Sequence, residues 1–451
     1  MFRHIKHIHF VGIGGSGMSG IAEVLIRSGY RITGSDIKRT SVTERLEELG
    51  AGIIYEHKEK NVRNADVLVY SSAIKESNTE LIAARSMKIP IIQRAEMLAE
   101  LMRMKQGIAI AGTHGKTTTT SIAARILDFA GYDPTVVVGG RIKSIGSGGR
   151  LGKGDYLVCE ADESDRSFLS LSPVISIITS IDADHLDSYR DIEEIKNAFM
   201  EFANRVPFYG CTILAYDDEN VRDIIKGIKK RTITYGLSEG VQIYGYDVSL
   251  GISSEFSVRM DRDVIGRFSL PLPGIHYVRN AIAAIALGIE LEIPKGLLRD
   301  AIVSFEGVER RFEFIRKGDI KIVDDYAHHP KEIEETLIAA KNIHKGRIIA
   351  IFQPHLYSRT VKLLDGFAQS LKLAEEVVIT DIYPAREEPI PGVTGKIIVD
   401  RMIAYGKKGV YIKDRKEIPD YIKGIAKKGD MVMTLGAGNI REVAVELNNI
   451  L

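Results

Sequence analysis

The stretch IAIAGTHGKTTTTSIAARIL, Ile108 to Leu127, constrains the fold more than any other part of the chain. A short apolar run meets two glycines and a lysine, and apolar residues then return at helical spacing. This predicts a buried strand, a tight turn and a helix. The first N–H groups of such a helix have no partner within it, so its head is a natural anion site. Gly112 and Gly115 let the main chain approach phosphate oxygens. Lys116 brings charge for the terminal phosphate, and the Thr117 hydroxyl suits Mg2+. The usual GxxxxGK[ST] spacing is not met, because glycine stands at Gly112 and not at Ile110. The donors, the cation and the hydroxyl are nevertheless all present.

The start of the chain repeats the construction in another form. In VGIGGSGMSG, Gly12, Gly14 and Gly17 satisfy GxGxxG between a strand and a helix, and Asp36 in TGSD follows at about the distance of a ribose-binding acid. Such a loop cradles a pyrophosphate and leaves the nucleotide open. Further on, DYLVCEADESDRSFL ends an apolar strand in acids that include Glu160. VISIITSIDADHLDSY ends another in Asp182, Asp184, His185 and Asp187. Both clusters fall at carboxyl ends of strands, the edge of a parallel sheet where ligands bind and where carboxylates hold Mg2+.

At roughly 150 residues per domain, 451 residues suggest about three domains. Pattern changes place the boundaries at 1–105, 106–312 and 313–451. Short apolar runs alternate with capped amphipathic segments, as in parallel α/β sheets. Strands are expected at His7–Val11, Tyr30–Thr33, Asp66–Tyr70 and Pro90–Ile92, and in the last third at Ile320–Asp324, Arg347–Phe352, Glu376–Ile379 and Asp430–Leu435. Ser41 with Glu44 reads as a capping box. From Gly240 to Leu272 the alternation suggests antiparallel strands appended to the second domain. A formal net charge of +1, with 27% charged residues, argues against a general nucleic-acid or membrane binder. Cys159 and Cys211 have no CxxC spacing, so neither a disulfide framework nor a zinc site is indicated. No apolar run reaches the roughly 18 residues of a membrane span, and the start offers no signal-peptide core. The cytoplasm is the expected compartment.

The set HFVGIGGSGMSGIAEVL, GTHGKTTTT, EADESDRSFL, DADHLDSY, GVERRFEF, VDDYAHHPKEI, FQPHLYSRT, DIYPAREEPIPG and GAGNI, in this order, resembles the Mur ligase family nearly end to end. The resemblance implies three α/β domains: a Rossmann-like N-terminal domain for a UDP-sugar, a central P-loop ATPase domain with a parallel sheet plus a small antiparallel sheet, and a Rossmann-like C-terminal domain that closes over the amino acid. It also implies an enzyme that uses ATP and Mg2+, two ions, to join L-alanine to the carboxylate of UDP-N-acetylmuramate through an acyl phosphate. The partners would be these small molecules, with no nucleic acid and no membrane insertion.

Carried over residue by residue, the resemblance assigns the ATP phosphates to Gly112, Thr113, His114, Gly115, Lys116, Thr117 and Thr118. Metal would sit on Thr117, Glu160 and His185. His276 and Asn280 match the adenine side, Arg311 a phosphate clamp and Asp325 a ribose contact. Gly15, Ser16, Gly17, Ser35, Asp36, Ser71 and Ser72 would line the UDP pocket, and Tyr326, His328 and Arg359 would grip the amino acid. Lys116, Glu160 and His185 would serve catalysis, with His328 as candidate base. Three positions depart from the pattern. Tyr277 follows His276 where asparagine is expected. Leu356 stands where some members have a second arginine, which leaves the carboxylate to Arg359. The helix expected over 192–206 offers only Lys196, too early for the carbamylated lysine of sister ligases, so no carbamate is expected. An NAD oxidoreductase would leave the phosphate loop idle, and a motor ATPase would leave the first domain idle. A muropeptide-recycling ligase would carry EADEYD in place of EADESD.

Overall fold

A computed structural model describes residues 4–15, 17–184, 188–385 and 387–451. The chain divides into two compact units, one of Met1–Asp247, Phe256–Ser269 and Arg279–Glu306, the other of Val248–Glu255, Leu270–Val278 and Gly307–Leu451.

The first unit opens with a five-stranded parallel sheet made of β1 (His7–Val11), β2 (Arg31–Ser35), β3 (Gly52–Ile54), β4 (Val67–Tyr70) and β5 (Ile91–Gln93), in the order β3-β2-β1-β4-β5. The order reverses at β1, so the turn leaving β1 faces the crevice where such sheets bind ligands. β1 is buried along its whole length. Helix Met18–Arg27 covers the sheet with Met18, Ile21, Val24 and Leu25. The capping box before helix Ser41–Glu48 sits one residue earlier than expected. Thr40 is the cap, because its extended backbone lets its hydroxyl accept from Thr43 N–H (3.3 Å) while Thr43 Oγ1 accepts from Thr40 N–H (2.9 Å). Glu44 pairs instead with Arg39 at 3.1 Å.

A ten-stranded sheet follows: β6 (Gln106–Ala111), β7 (Thr135–Ile142), β8 (Ser147–Arg150), β9 (Tyr156–Glu160), β10 (Ile175–Ile178), β11 (Cys211–Ala215), β12 (Thr232–Gly236), β13 (Ile243–Ser249), β14 (Ser254–Met260) and β15 (Asp263–Leu270). The order is β15-β14-β13-β12-β11-β10-β6-β9-β7-β8. The strands of the Gly240–Leu272 segment thus extend the edge of this sheet. β6 is flanked by β9 and β10, both parallel to it, and runs directly into the phosphate turn. Helix Lys116–Phe129 then begins with four threonines, weak helix formers. Burial of Thr117 through Thr120 compensates, and Thr120 Oγ1 and Ser121 Oγ donate back to carbonyls one turn earlier, at 2.8 and 2.7 Å.

The second unit holds a six-stranded sheet: β16 (Glu313–Lys317), β17 (Lys321–Asp325), β18 (Ile348–Phe352), β19 (Glu376–Ile379), β20 (Val410–Tyr411) and β21 (Met431–Leu435), ordered β16-β17-β21-β18-β19-β20. Only β16 runs antiparallel to its neighbour. Two short helices, Tyr357–Lys362 and Leu364–Leu371, follow β18. They bend at Leu363, and Phe367 packs on Phe352 of β18 with ring centroids 5.2 Å apart. Among the described residues no helix is long and apolar enough to cross a membrane.

Within the first unit, helix Met18–Arg27 meets β8 backbone to backbone. A Cβ on Gly20 would lie 2.7 Å from the Gly148 carbonyl oxygen, and one on Gly149 would lie 2.3 Å from that of Gly20. Both neighbours are main chain, so neither can move aside. Gly149→Ala is expected to lower stability by about 1–3 kcal/mol in urea unfolding; an unchanged midpoint would show that the two elements separate freely.

Candidate active site

Steric exclusion shapes the phosphate turn. Gly112 (φ 139°) and Gly115 (φ 85°) adopt conformations that side chains rarely take, and a Cβ at either would overlap Thr179 Oγ1 (2.1 Å) or Asn280 Oδ1 (2.5 Å). The end of β10 fastens the residues between them. Thr113 N–H donates to the Ser180 carbonyl (3.0 Å), His114 N–H to Ser180 Oγ (2.9 Å), and Thr179 Oγ1 to the His114 carbonyl (2.5 Å). Lys116, Thr117 and Thr118 form the first turn of the helix that follows.

A cation at that position opposes the helix dipole. Lys116 is stabilised there by Glu163, whose two oxygens each accept from Nζ at 2.8 Å, and by the Gly112 carbonyl at 2.6 Å. Burial disfavours the ammonium, yet Glu163, Asp162 and Glu160 raise its proton affinity above the ordinary value. Glu160 ends β9 opposite Ile110 of β6, beside the turn. Asp162 accepts from Arg94 Nη2 at 2.8 Å. Burial works against its charge, but Arg94 and Lys116 hold the carboxyl down at about 2. Three carboxylates therefore face one ammonium and one guanidinium, an excess of negative charge on hard oxygens. That donor set fits Mg2+, and Glu160 and the Thr117 hydroxyl are the residues that could hold it. His185, the other metal candidate, lies outside the described residues.

In the first crevice, Gly12 (φ 78°) and Gly17 (φ 77°) are left-handed. The Ser35 carbonyl accepts from Gly12 N–H (2.8 Å) and Ile13 N–H (3.1 Å), and Gly15 N–H donates to the Gly12 carbonyl at 3.1 Å. Asp36, expected at a ribose, spends Oδ2 on Gly14 N–H (2.9 Å) and Oδ1 on Ile37 N–H (2.8 Å), so it braces the loop itself. Ser71 lies beside Gly12, Ser72 is exposed, and Ser16 is outside the described residues. Sequence reasoning missed Arg94. Its Nη1 would lie 2.8 Å from a Cβ on Gly17, and its Nη2 reaches Asp162, so it links the first glycine loop to the acidic segment after β9. One signal was available: an arginine in the first turn of helix Arg94–Met102, where the dipole disfavours it.

Asn280 lies against Gly115, and His276 precedes it by one turn on helix Ile275–Glu290. In the second unit, Asp325 ends β17 and accepts from Phe312 N–H (2.7 Å) and Ala327 N–H (2.8 Å). Burial pushes its carboxyl up to about 6 against the pull of Arg311. The guanidinium of Arg311 sits 5.2 Å from the Tyr326 ring centroid, and that of Arg310 at 5.0 Å. His328 Nδ1 lies 3.1 Å from the Tyr326 carbonyl, and its ring meets His355 at 5.9 Å; His355 in turn stacks on Tyr383 at 5.8 Å. His355 leads through Leu356, itself at φ 69°, into the short helix that carries Arg359. Lys196 is engaged by Glu193 (3.0 Å) and Asp223 (2.8 Å).

Comparison with known proteins matches these parts in order. Residues 7–106 match the Mur ligase family, catalytic domain; 110–288 the Mur ligase middle domain; and 310–438 the Mur ligase, glutamate ligase domain. The chain belongs to the Mur ligase family. It is 52% identical to a UDP-N-acetylmuramate--L-alanine ligase of Geotalea uraniireducens over 99% of this chain and 98% of that one. It is 47% identical to one of Sulfurihydrogenibium over 98% of each. Among solved structures, a UDP-N-acetylmuramate-alanine ligase from Thermotoga maritima superposes with TM-score 0.86 at 30% identity, covering 99% of both chains. A murein peptide ligase from Psychrobacter arcticus gives 0.75 at 25% identity, again over 99% of both.

Lys116→Met would leave Glu163, only 2% exposed, without its ammonium. A loss of about 3–5 kcal/mol in urea unfolding is expected, with most of it restored when Glu163→Gln is added. Equal stability of the single and double variants would refute the pairing. Asp162 gives a pH signature. Its folded value of about 2 lies below the ordinary 3.8, so its contribution is present above that pH and lost as pH falls toward 2. Arg94→Met should move acid unfolding to higher pH; no shift would count against the ion pair.

Proposed function

We propose that the protein joins L-alanine to the carboxylate of UDP-N-acetylmuramate, converting ATP to ADP and phosphate, in peptidoglycan precursor synthesis in the cytoplasm. One observation carries this reading: a glycine loop suited to a nucleotide-sugar and a phosphate loop with its lysine occupy one compact unit, where Arg94 links the first loop to the acidic segment after β9. The relatives near 50% identity bear the corresponding name, and EADESD at Glu160 to Asp165 departs from the EADEYD expected of a tripeptide ligase.

A carboxylate resists an amine because it is anionic and would have to expel oxide. Transfer of the γ-phosphoryl group to a carboxylate oxygen removes both obstacles and releases ADP. The amine then attacks the acyl carbon, the C–O bond to phosphate breaks, and the amide forms with inorganic phosphate. The turn from Gly112 to Thr118 is assigned to the phosphates, with the unpaired N–H groups at the helix head as donors while those of Thr113 and His114 brace the turn on Ser180. Lys116 exchanges Glu163 for the phosphoryl oxygens as their charge spreads. Thr117 and Glu160 would hold Mg2+, with a second ion assigned to His185, and the metal would supply further charge neutralisation. The UDP portion is assigned to Gly15, Ser16, Gly17, Ser35, Asp36, Ser71 and Ser72. His276 and Asn280 are assigned to the adenine, Arg311 to a phosphate and Asp325 to the ribose.

L-alanine is assigned to Tyr326, His328 and Arg359. A carbonyl only accepts, so the Tyr326 carbonyl at 3.1 Å fixes the proton of neutral His328 on Nδ1. Nε2 then presents a lone pair that can take a proton from the incoming ammonium. Arg359 offers the alanine carboxylate a two-pronged, charge-assisted bond.

Phosphate release that requires ATP, UDP-N-acetylmuramate and L-alanine together is the expected result, with calorimetric binding of the UDP-sugar and none of NAD. Release with a tripeptide but not with L-alanine would replace this reading. Arg359→Lys keeps the charge and loses the fork. The KM for L-alanine should rise about tenfold, equivalent to about 1.4 kcal/mol, with little change for ATP. An unchanged value in Arg359→Ala would place the amino acid elsewhere.

A further inference from the structure

Beneath the first glycine loop lies a chain of buried polar groups that the ligation chemistry does not use. It runs from His7 and His9 on β1, through Thr33 and Ser35 on β2, to Glu80 on helix Thr79–Ser86. His9, Ser35 and Glu80 are fully buried. The proton positions follow from the partners. His7 Nδ1 lies 2.8 Å from the Asn64 carbonyl, which only accepts, so Nδ1 carries the hydrogen. Burial keeps His7 below its ordinary proton affinity and hence neutral, which leaves Nε2 as an acceptor. Thr33 Oγ1, at 2.7 Å from that Nε2, has one hydrogen and gives it there. Thr33 must then accept from His9 Nδ1 at 2.8 Å.

His9 Nε2 remains. It has no hydrogen-bond partner, is sealed from water, and faces Glu80 Oε2 at 3.7 Å. Glu80 is ionised: Ser35 Oγ donates to Oε2 and Asn61 Nδ2 to Oε1, each at 2.5 Å, and with His9 these donors overcome burial and hold the carboxyl at about 2. A lone pair on Nε2 would confront that carboxylate in a dry interior, whereas a proton there turns repulsion into attraction. The other charged or titratable groups nearby are His57, whose Nδ1 lies 3.0 Å from Ser35 Oγ and 3.2 Å from Glu80, and, around His7, Arg31 and Asp66. None of these supplies the missing proton contact to Nε2.

Glu80 is also fixed from its own side, since Asn78 Oδ1 accepts from Glu80 N–H at 2.9 Å as the helix cap. Its carboxylate fixes the Ser35 hydroxyl, and the Ser35 carbonyl collects the N–H groups of Gly12 and Ile13 where the glycine loop leaves β1. We propose that His9 and Glu80 form a buried imidazolium–carboxylate pair that positions Ser35, and through it the glycine loop, for the nucleotide-sugar. The functional half of this statement rests on the reading that the loop takes the UDP-sugar. The phosphate loop follows β6 of the ten-stranded sheet, whereas the pair belongs to the five-stranded sheet and helix Thr79–Ser86. Its influence therefore falls on one substrate alone.

The test uses full-length protein with 15N-labelled histidine, His9 being assigned from a His9→Gln variant. At about pH 8, where an ordinary imidazole is neutral, both His9 nitrogens should carry protons in the wild type, and one should lose its proton in Glu80→Gln. In steady-state assays Glu80→Gln should raise the KM for UDP-N-acetylmuramate about tenfold or more, with kcat and the KM values for ATP and L-alanine within about twofold. A neutral His9 in the wild type overturns the pair. A folded Glu80→Gln with unchanged UDP-sugar KM, or with kcat reduced as much as kcat/KM, overturns the positioning role. Should that variant not fold, Glu80→Asp keeps the charge for His9 while drawing the carboxylate back from Ser35. It is expected to show the same KM-only defect with His9 still doubly protonated, and an unaltered KM there is equally fatal. Absence of ligation by the wild type would sink the functional reading and leave the His9 measurement standing.

Discussion

A buried ammonium at the head of a helix is the constraint around which the central sheet is arranged. Lys116 sits where the helix dipole repels it and where burial strips its water, so the fold must bring anions to it. Glu160, Asp162 and Glu163 do this from the end of β9 and the segment just beyond. They reach the ammonium because β9 is the immediate neighbour of β6 in the sheet. Those carboxylates then exceed the lysine's charge, and Arg94 enters from the other nucleotide-binding sheet to balance Asp162. One misplaced charge thereby accounts for a strand order, an acidic cluster and a link between sheets.

The same accounting explains why the glycine turns are rigid before any phosphate arrives. Gly112 and Gly12 each begin a loop tied to adjacent strand ends, with Thr113 and His114 N–H donating to Ser180 in one and Gly12, Ile13 and Gly14 N–H donating to Ser35 and Asp36 in the other. The loops are ordered by the protein and not by the ligand, so binding costs less ordering.

What could be read from the chain was whatever is local. The glycines, the lysine after them and the acids at strand ends sit a few residues from the elements that make them useful, and their order matched the family from end to end. Strand positions were legible for the same reason, with shifts of a residue or two. The misread cap turned on backbone conformation: Thr40 displaced Ser41 because its extended backbone lets it exchange hydrogen bonds with Thr43. Asp36 also braces the glycine loop through Gly14 and Ile37, a structural duty that its spacing in the sequence does not show. Arg94, His9 and Glu80 had partners far away in sequence, and of the three only Arg94 carries a local mark, its place in the first turn of a helix.

The approach of Gly20 to Gly148 and Gly149 has a mechanical meaning. Most junctions between packed elements are cushioned by side chains that can change rotamer and absorb a displacement. Here two stretches of main chain touch without a cushion. Helix Met18–Arg27 begins directly after the first glycine loop, and β8 belongs to the sheet that carries the phosphate turn. The separation of the two glycine turns is therefore set at this junction by bond lengths and van der Waals radii, and it behaves as a fixed jig.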